Sequence, residues 1–506
     1  MSSPAGPASA SPAQEHRLHP WSWLFVLIQQ LRQFIVPLAA LLVFGSRGDR
    51  YEVMAGLAPL IAVAVLALTS VMQYLTFRYR IGQDGLSVRE GWLHRSQREI
   101  PYARIHNVVV HQSLLHRMFG VAEVRLESAG GQKPEAQMRV LGLDAALALE
   151  DLIRHRGQDA AVAGESAPAA PGTLLALPTG EILRLGLVSN RGMIVVAAAF
   201  GAAWQFLPED RMGGWMRLAT RQASGYVSHL QWGWLSTAVS VATLIALAAL
   251  LLRGLSVLLA LLQYHGFRLS EDPRRLTVER GLLARLRTSI ARRRIQSWTL
   301  QETLLHRWFG RRSLRIDTAV AEQQQQGEQR ALKELAPIAT PEACDALVRH
   351  LLPQAHWPRG DWRPLPASSW WRLFLPGVPW MLLAAAAVAF FIGPWGWLVL
   401  LWLPWSAYGA RLHARHAAYA VDERMVAVRG GWWSRWWRFA EIDKLQALRL
   451  SRSPLDRRLG TASLWLDTAG ATGLAPPLRI RFLPEADAQA LYDSLSAALA
   501  GRRLRW

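Results

Sequence analysis

Cysteine is all but missing from this chain of 506 residues. Cys344 stands alone, which excludes an internal disulfide and any metal site built from several thiolates. Its setting, Pro341-Glu342-Ala343-Cys344-Asp345-Ala346-Leu347, reads as helix and makes it a packing residue. Lysine is nearly as scarce, with only Lys133, Lys333 and Lys444 against many arginines. We read that bias, with the abundant alanine, as genome base composition and not as a preference for phosphate. Also missing are Gly-x-x-x-x-Gly-Lys-Ser/Thr, His-Glu-x-x-His, Gly-x-Ser-x-Gly and an acidic pair inside an apolar run, so neither an enzyme nor a cofactor site is expected.

What is present is apolar residue and positive charge. The chain is 51% hydrophobic and only 19% charged, with 24 Trp, a composition seldom found in a soluble protein. Six apolar stretches are candidate spans: Leu24 to Phe44, Val53 to Leu75, Met193 to Leu207, Trp234 to Leu262, Leu373 to Ile392 and Trp395 to Ala410. The first carries Gln29, Gln30, Arg32 and Gln33 and has the makings of an interfacial helix. The fourth exceeds a bilayer's thickness and contains Arg253, read as snorkelling and not as a pore charge. Basic residues near the spans, among them Arg78, Arg80, Arg268, Arg274, Arg411 and Arg415, collect on the side that bears the polar segments. Both termini and those segments are therefore expected in the cytoplasm, the spans lying in a bacterial inner membrane. The Ala/Ser/Pro-rich start lacks the basic head of a cleavable signal and reads as a disordered tail.

A pattern recurs three times, each time after a pair of apolar stretches. It runs Gly91-Trp92-Leu93, Arg104-Ile105-His106, Leu114-Leu115-His116-Arg117-Met118-Phe119-Gly120, and again Gly281-Leu282-Leu283, Arg294-Ile295-Gln296, Leu304-Leu305-His306-Arg307-Trp308-Phe309-Gly310. The third copy reads Gly431-Trp432-Trp433, Lys444-Leu445-Gln446, Leu455-Asp456-Arg457-Arg458-Leu459-Gly460. The first and last glycines keep one interval throughout, whereas the copies are unevenly spaced, so each unit is a domain and not a solenoid turn.

Within a copy, short alternating segments bounded by Gly and Pro predict strands, in the first copy Phe77 to Ile81, Leu86 to Arg89, Leu93 to Ile100, Ile105 to His111, Val121 to Glu127 and Met138 to Leu141. A closing helix follows over Asp144 to Arg154. The expected fold is an α+β membrane protein: three transmembrane helical hairpins, each followed by a bent antiparallel sheet or barrel plugged by a C-terminal helix. The divisions are a tail at 1–17, a first pair at 18–76, a domain at 77–156, a flexible linker at 157–180, a second pair at 181–263, a domain at 264–353, a third pair at 354–410 and a domain at 411–506. Glu322 to Gln329 is Gln-rich and reads as a hairpin loop.

The paired spans followed by a Gly-led strand, the Ile100-Pro101-Tyr102-Ala103-Arg104-Ile105 step and the Leu-Leu-x-Arg-x-x-Gly turn resemble the bacterial PH-domain membrane proteins of the YdbS/YdbT type. His19-Pro20-Trp21-Ser22-Trp23 resembles the opening of their larger, three-domain YdbT-like members. The resemblance implies a pleckstrin-homology-like (PH-like) fold in each copy, no catalytic residues to carry over, and a smaller one-domain relative of the YdbS type as partner. Copy three departs from the pattern at Phe439-Ala440-Glu441-Ile442 and at Pro454-Leu455-Asp456.

Charge is the main functional clue. Lys and Arg number 57 against 37 Asp and Glu, a formal net charge of +20. Beside a membrane, such a surface meets anionic headgroups at on the order of 1 kcal/mol per nearby cation. Arg285, Arg287, Arg292, Arg293 and Arg294 form the densest group, matched in copy one by Arg89, Arg95, Arg98 and Arg104. They are either a lipid-phosphate site or a solvated, inward-facing surface. Trp432, Trp433, Trp436 and Trp437, interleaved with Arg435 and Arg438, either enter the headgroup region or pack in the third core. His116 and His306 occupy equivalent turns and are read as hydrogen-bonding turn residues. His413 and His416 lack a third metal ligand.

Three function classes stand in order: a membrane-tethered adaptor whose domains bind a protein partner or the anionic surface, a transporter or channel component built from the six spans, and a nucleic-acid binder. The last has charge but no reading motif. The adaptor reading also expects a fragment near Phe77 to Arg156 or Phe267 to Leu352 to fold alone.

Overall fold

The computed structural model describes residues 15–44, 52–91, 95–128, 135–159, 172–206, 214, 233–272, 275–318, 334–366, 369–469 and 476–501. Each repeat is seven strands and a closing helix. Repeat one comprises β1 (Glu15–Arg17), β2 (Arg78–Ile81), β3 (Gly85–Glu90), β4 (Ser96–Pro101), β5 (Ile105–Gln112), β6 (Val121–Ser128) and β7 (Ala136–Gly142), then the helix Leu143–Asp159. Repeat two has β8 (Gly172–Ala176), β9 (Arg268–Asp272), β10 (Arg275–Arg280), β11 (Arg285–Ala291), β12 (Ile295–Glu302), β13 (Arg312–Thr318) and β14 (Glu334–Ala339), then Pro341–Leu351. Repeat three has β15 (Arg363–Pro364), β16 (Ala418–Val421), β17 (Met425–Gly430), β18 (Arg435–Glu441), β19 (Leu445–Ser451), β20 (Thr461–Thr468) and β21 (Arg479–Pro484), then Glu485–Ala500.

The repeated glycines are turn residues. Gly281 and Gly431 sit at φ +113° and +83° between neighbouring strands, where an added Cβ would lie 1.9 Å from the carbonyl oxygens of Ala284 and Ser434. Only glycine fits there.

The expected order of span pair first and domain second is corrected in one respect. Strands β1, β8 and β15 precede the apolar helices and pair antiparallel with β2, β9 and β16, which follow them. The helices are therefore an insertion between the first and second strands of each domain. Residues 15–17 are strand and not tail, and 157–180, expected as a flexible linker, holds the end of one helix, strand β8 and the start of the next helix. β15 likewise falls inside the stretch assigned to the third span pair. These strands escape sequence reading because they are three, five and two residues long, too short for alternation, and are fixed by their partners. The first 14 residues and the Gln-rich stretch lie outside the described residues.

The second correction concerns independence. The sheets are ordered β1-β2-β3-β4, then β7-β6-β5-β11-β10-β9-β8, then β14-β13-β12-β18-β17-β16-β15, then β19-β20-β21. Each domain thus divides its strands between two sheets, and the first half of repeats two and three continues the second half of the repeat before it. The two junctions share one register. Arg285 lies opposite Gln112 in the first, and the equivalent Arg435 opposite Glu302 in the second.

Cores follow from this sharing. Leu86, Val88, Ile100, Val108, Leu126, Met138 and Ile153 fill repeat one. The core of repeat two, including Trp298, Leu300, Leu314 and Cys344, is completed by Ala420, Met425, Ala427 and Phe439 of repeat three. Those strands are buried on both faces, since Val426, Val428 and Ala440 turn the other way into the third core.

Among the described residues, two helices are long and apolar enough to cross a membrane, Ala238–Tyr264 and Trp370–Phe391. A third arises if Thr179–Val188 and Arg191–Ala202, bent by 53°, act as one. Leu60–Thr76 is a shorter apolar helix. Of the six crossings expected from hydropathy, two, or three with the bent pair, are present as long apolar helices among the described residues. The last expected span is shortened because Pro394–Leu401 is a 3-10 helix leading into Trp402–His416. Arg253 donates to the carbonyls of Leu187 (2.8 Å) and Ser189 (3.2 Å), closing the C-terminus of the Thr179–Val188 helix.

Candidate partner and membrane interface

The most repeated chemistry in the chain is the turn after the fifth strand of each domain. Ser113 and Thr303 cap short helices by accepting the N–H of His116 and His306, and their hydroxyls lie 2.6 and 2.8 Å from the Nδ1 atoms of the same histidines. In copy three, Ser453 and Asp456 form a reciprocal capping box. Burial lowers the pKa of His116, and it lowers that of His306 to about 4, helped by Arg315, so both rings are neutral near pH 7. A Ser–His pair used this way is a helix cap, and His and Asp are interchangeable at the position because each fills one hydrogen-bonding place.

The same turn anchors the apolar helices. In repeat one the ring of Phe25 packs on His116 with centroids 4.2 Å apart. In repeat two Arg311 donates to both carboxylate oxygens of Glu181, at 2.8 and 2.7 Å. In repeat three Arg372 bonds Asp456 and, at 2.9 Å, Thr461. Burial alone would raise the pKa of Asp456, but bonds from Ser453, Arg372 and Thr461 outweigh it and hold the value at about 2.

The arginines expected to form one headgroup site are dispersed. Arg287 reaches Glu150 at 3.4 Å across the first junction and Glu279 at 3.3 Å. Arg292 bonds Glu271 at 3.2 Å and the carbonyls of His350 and Leu351 at a helix end. Arg294 is half-buried, its pKa lowered by burial and by Arg293 and Arg275. Arg285 and Arg293 are exposed, the former beside the first junction. In repeat one Arg89 bonds Gln97 at 3.1 Å and lies 3.9 Å from Glu15. Arg95, Arg98 and Arg104 are exposed. With Arg78, Arg80 and Arg89 on the outer face of β1–β4, repeat one carries the broadest solvent-facing arginine surface the sequence had marked.

The tryptophans separate as well. Trp432 meets Trp405 and Tyr408 of the Trp402–His416 helix, with centroids 5.8 and 6.3 Å apart, and Trp433 beside it is exposed. Trp436 packs toward the third core, whereas Trp437 packs against the second with the Arg312 guanidinium over its ring at 4.9 Å. Core packing is thus the place of Trp436 and Trp437, while Trp432 lies against the helix and Trp433 is exposed.

Sequence reasoning missed Arg438, the largest fully buried side chain among the described residues. Across the second junction it bonds Asp317 at 2.7 Å and Ser297 at 3.1 Å, and within repeat three it bonds the Pro476 carbonyl at 2.6 Å. In sequence it stood only as a residue interleaved with the tryptophans, and only the sheet shared with repeat two reveals the acid.

Seven strands split between two sheets and closed by a helix, with membrane helices inserted after the first strand, define a tandem PH-like membrane protein. The family model for the bacterial PH domain matches residues 27–157, 227–352 and 373–499, and the chain belongs to that family. It is 20% identical over 429 residues to the UPF0699 transmembrane protein YdbT of Bacillus subtilis (strain 168), covering 81% of this chain and 84% of the relative. No solved structure matches it.

Proposed function

We propose that this protein is a non-enzymatic adaptor of the bacterial inner membrane, whose PH-like domains face the cytoplasm and bind a protein partner, the anionic bilayer surface, or both. The observation that carries this reading is that the side chains repeated by position are spent on capping and anchoring, while edges and an arginine face remain outward. The partner is a smaller PH-domain membrane protein of the YdbS type. Three helical pairs, six crossings in all, complete the arrangement. Parity supports them: Arg17 pairs with Arg78, Ala176 with Arg268 and Pro364 with Ala418, so the chain leaves and re-enters each sheet at neighbouring points and must cross an even number of times between them. The basic residues flanking the spans support the cytoplasmic side.

The test is crosslinked co-purification of the full chain from native membranes, where recovery of a PH-like partner supports the adaptor and recovery of none opposes it. Solute flux through proteoliposomes would transfer the case to a transporter. Sidedness is read from an epitope after Trp506 and from Arg293→Cys, since the native thiol is buried. Reaction of either with an impermeant reagent outside intact cells would overturn the orientation.

A further inference from the structure

The shared sheets leave the array with two unlike ends. β4 closes the first sheet and β19 the last, and no strand lies on the outer side of either among the described residues. β11 and β18 occupy the place of β4 in the later repeats, and β5 and β12 occupy the place of β19 in the earlier ones. Those four are joined in pairs. We infer that the β19 edge of repeat three is a docking site for the first half-sheet of a PH-like domain on another polypeptide, added in the register that joins the repeats internally. This rests on the adaptor reading and names the surface that serves it.

Burial shows that this edge is the incomplete one. Val108 and Val110 of β5 are 2% and 4% exposed, and Trp298 and Leu300 of β12 are 3% and 0% exposed, each under the next repeat. Their counterparts Leu448 and Leu450 are only partly buried, and Ala447 and Arg449 are exposed. Alternating leucines on an uncovered edge strand are a template for strand addition unless something occupies it. Neighbouring Asp467 corresponds to Asp317, the acid that anchors Arg438 at the second junction.

A second copy of this chain is the poorer occupant. In the shared register its β4 would set Arg98 directly against Arg449 and Arg95 against Arg452. It would also put Glu99 where the internal junctions hold Ser289 and Phe439, each 2% exposed. The outer face of β1–β4, with Arg78, Arg80, Arg89, Gln97 and Glu99, instead has the polar character of a terminal cap. The expected occupant presents an apolar residue opposite Leu448 and a neutral or acidic one opposite Arg449.

The experiment places photoreactive p-benzoylphenylalanine at position 449, and in a second variant at position 98, of the full chain in native membranes, and sequences the adducts. Expected is a 449 adduct with a PH-like polypeptide, linked through the last strand of its first half-sheet and reduced at least tenfold by Ala447→Pro while Cys344 stays protected. An adduct to β4 of a second copy, an adduct only from position 98, or none at 449 would overturn the proposal. If a PH-like partner still copurifies in that last case, the adaptor reading survives and this edge alone falls. If nothing copurifies, both fall.

Discussion

Replacing Arg438 tests the second junction most directly. Its guanidinium is 2% exposed and joins Asp317, Ser297 and the Pro476 carbonyl, so Arg438→Met leaves a buried carboxylate with only the Ser297 hydroxyl. Removing one member of a buried ion pair costs about 3–5 kcal/mol, whereas replacing both by apolar residues is often close to neutral. Arg438→Met combined with Asp317→Leu should therefore recover most of the loss. Cys344 supplies the readout: it is fully buried, shares a core with Phe439, and burial pushes its thiol up to about 12, so it reacts only when that core opens. At about 1.4 kcal/mol per tenfold, the single variant should label with a maleimide on the order of 10²- to 10³-fold faster in mild denaturant. If it labels at the wild-type rate, or if the double variant labels as fast as the single, the ion pair does not hold the junction.

Further outcomes follow from other contacts. Asp456 is held at about 2 against an unfolded value near 3.9, so its contribution, on the order of 2 kcal/mol, is present above about pH 5 and fades as pH falls toward 2. Thermal unfolding of Asp456→Asn should lack that acid limb, and a variant as acid-sensitive as wild type would refute the assignment. Gly281→Ala forces a side chain into positive φ and onto the Ala284 carbonyl, and should lower the melting temperature with a loss of at least about 1–3 kcal/mol. Fragments 77–156 and 267–352 lack β1 or β8, and the second also loses the part of its core lent by repeat three. Neither should show cooperative unfolding by circular dichroism, contrary to the expectation from spacing alone.

Much of the fold was legible because it rests on local signals. The glycines mark positive-φ turns, and the alternation in Val121 to Glu127 and the periodicity of Leu147, Leu149, Leu152 and Ile153 give β6 and its closing helix. The histidine turn was read correctly as a hydrogen-bonding element. What sequence does not carry is pairing between distant segments. β15 is two residues long and exists because Arg363 and Pro364 lie against Tyr419 and Ala418. The partners of the arginine group are unreadable for the same reason: Glu150 and Glu271, which engage Arg287 and Arg292, come from other strands and helices.

The two junctions share a register but differ in substance. Toward repeat one, repeat two presents Thr277, Ser289 and Arg287, with Thr277 and Arg275 bonding the Ser289 hydroxyl at 3.3 and 3.0 Å and Arg287 reaching Glu150. Among the described residues, the buried apolar cluster that bridges this junction is the pair Val109 and Leu286. Toward repeat two, repeat three presents Met425, Ala427 and Phe439 and completes a core, with Arg438 sealed at the margin. Apolar burial is the larger and less conditional source of adhesion, while a polar junction depends on a few bonds that water can replace. Repeats two and three therefore form the more tightly joined pair.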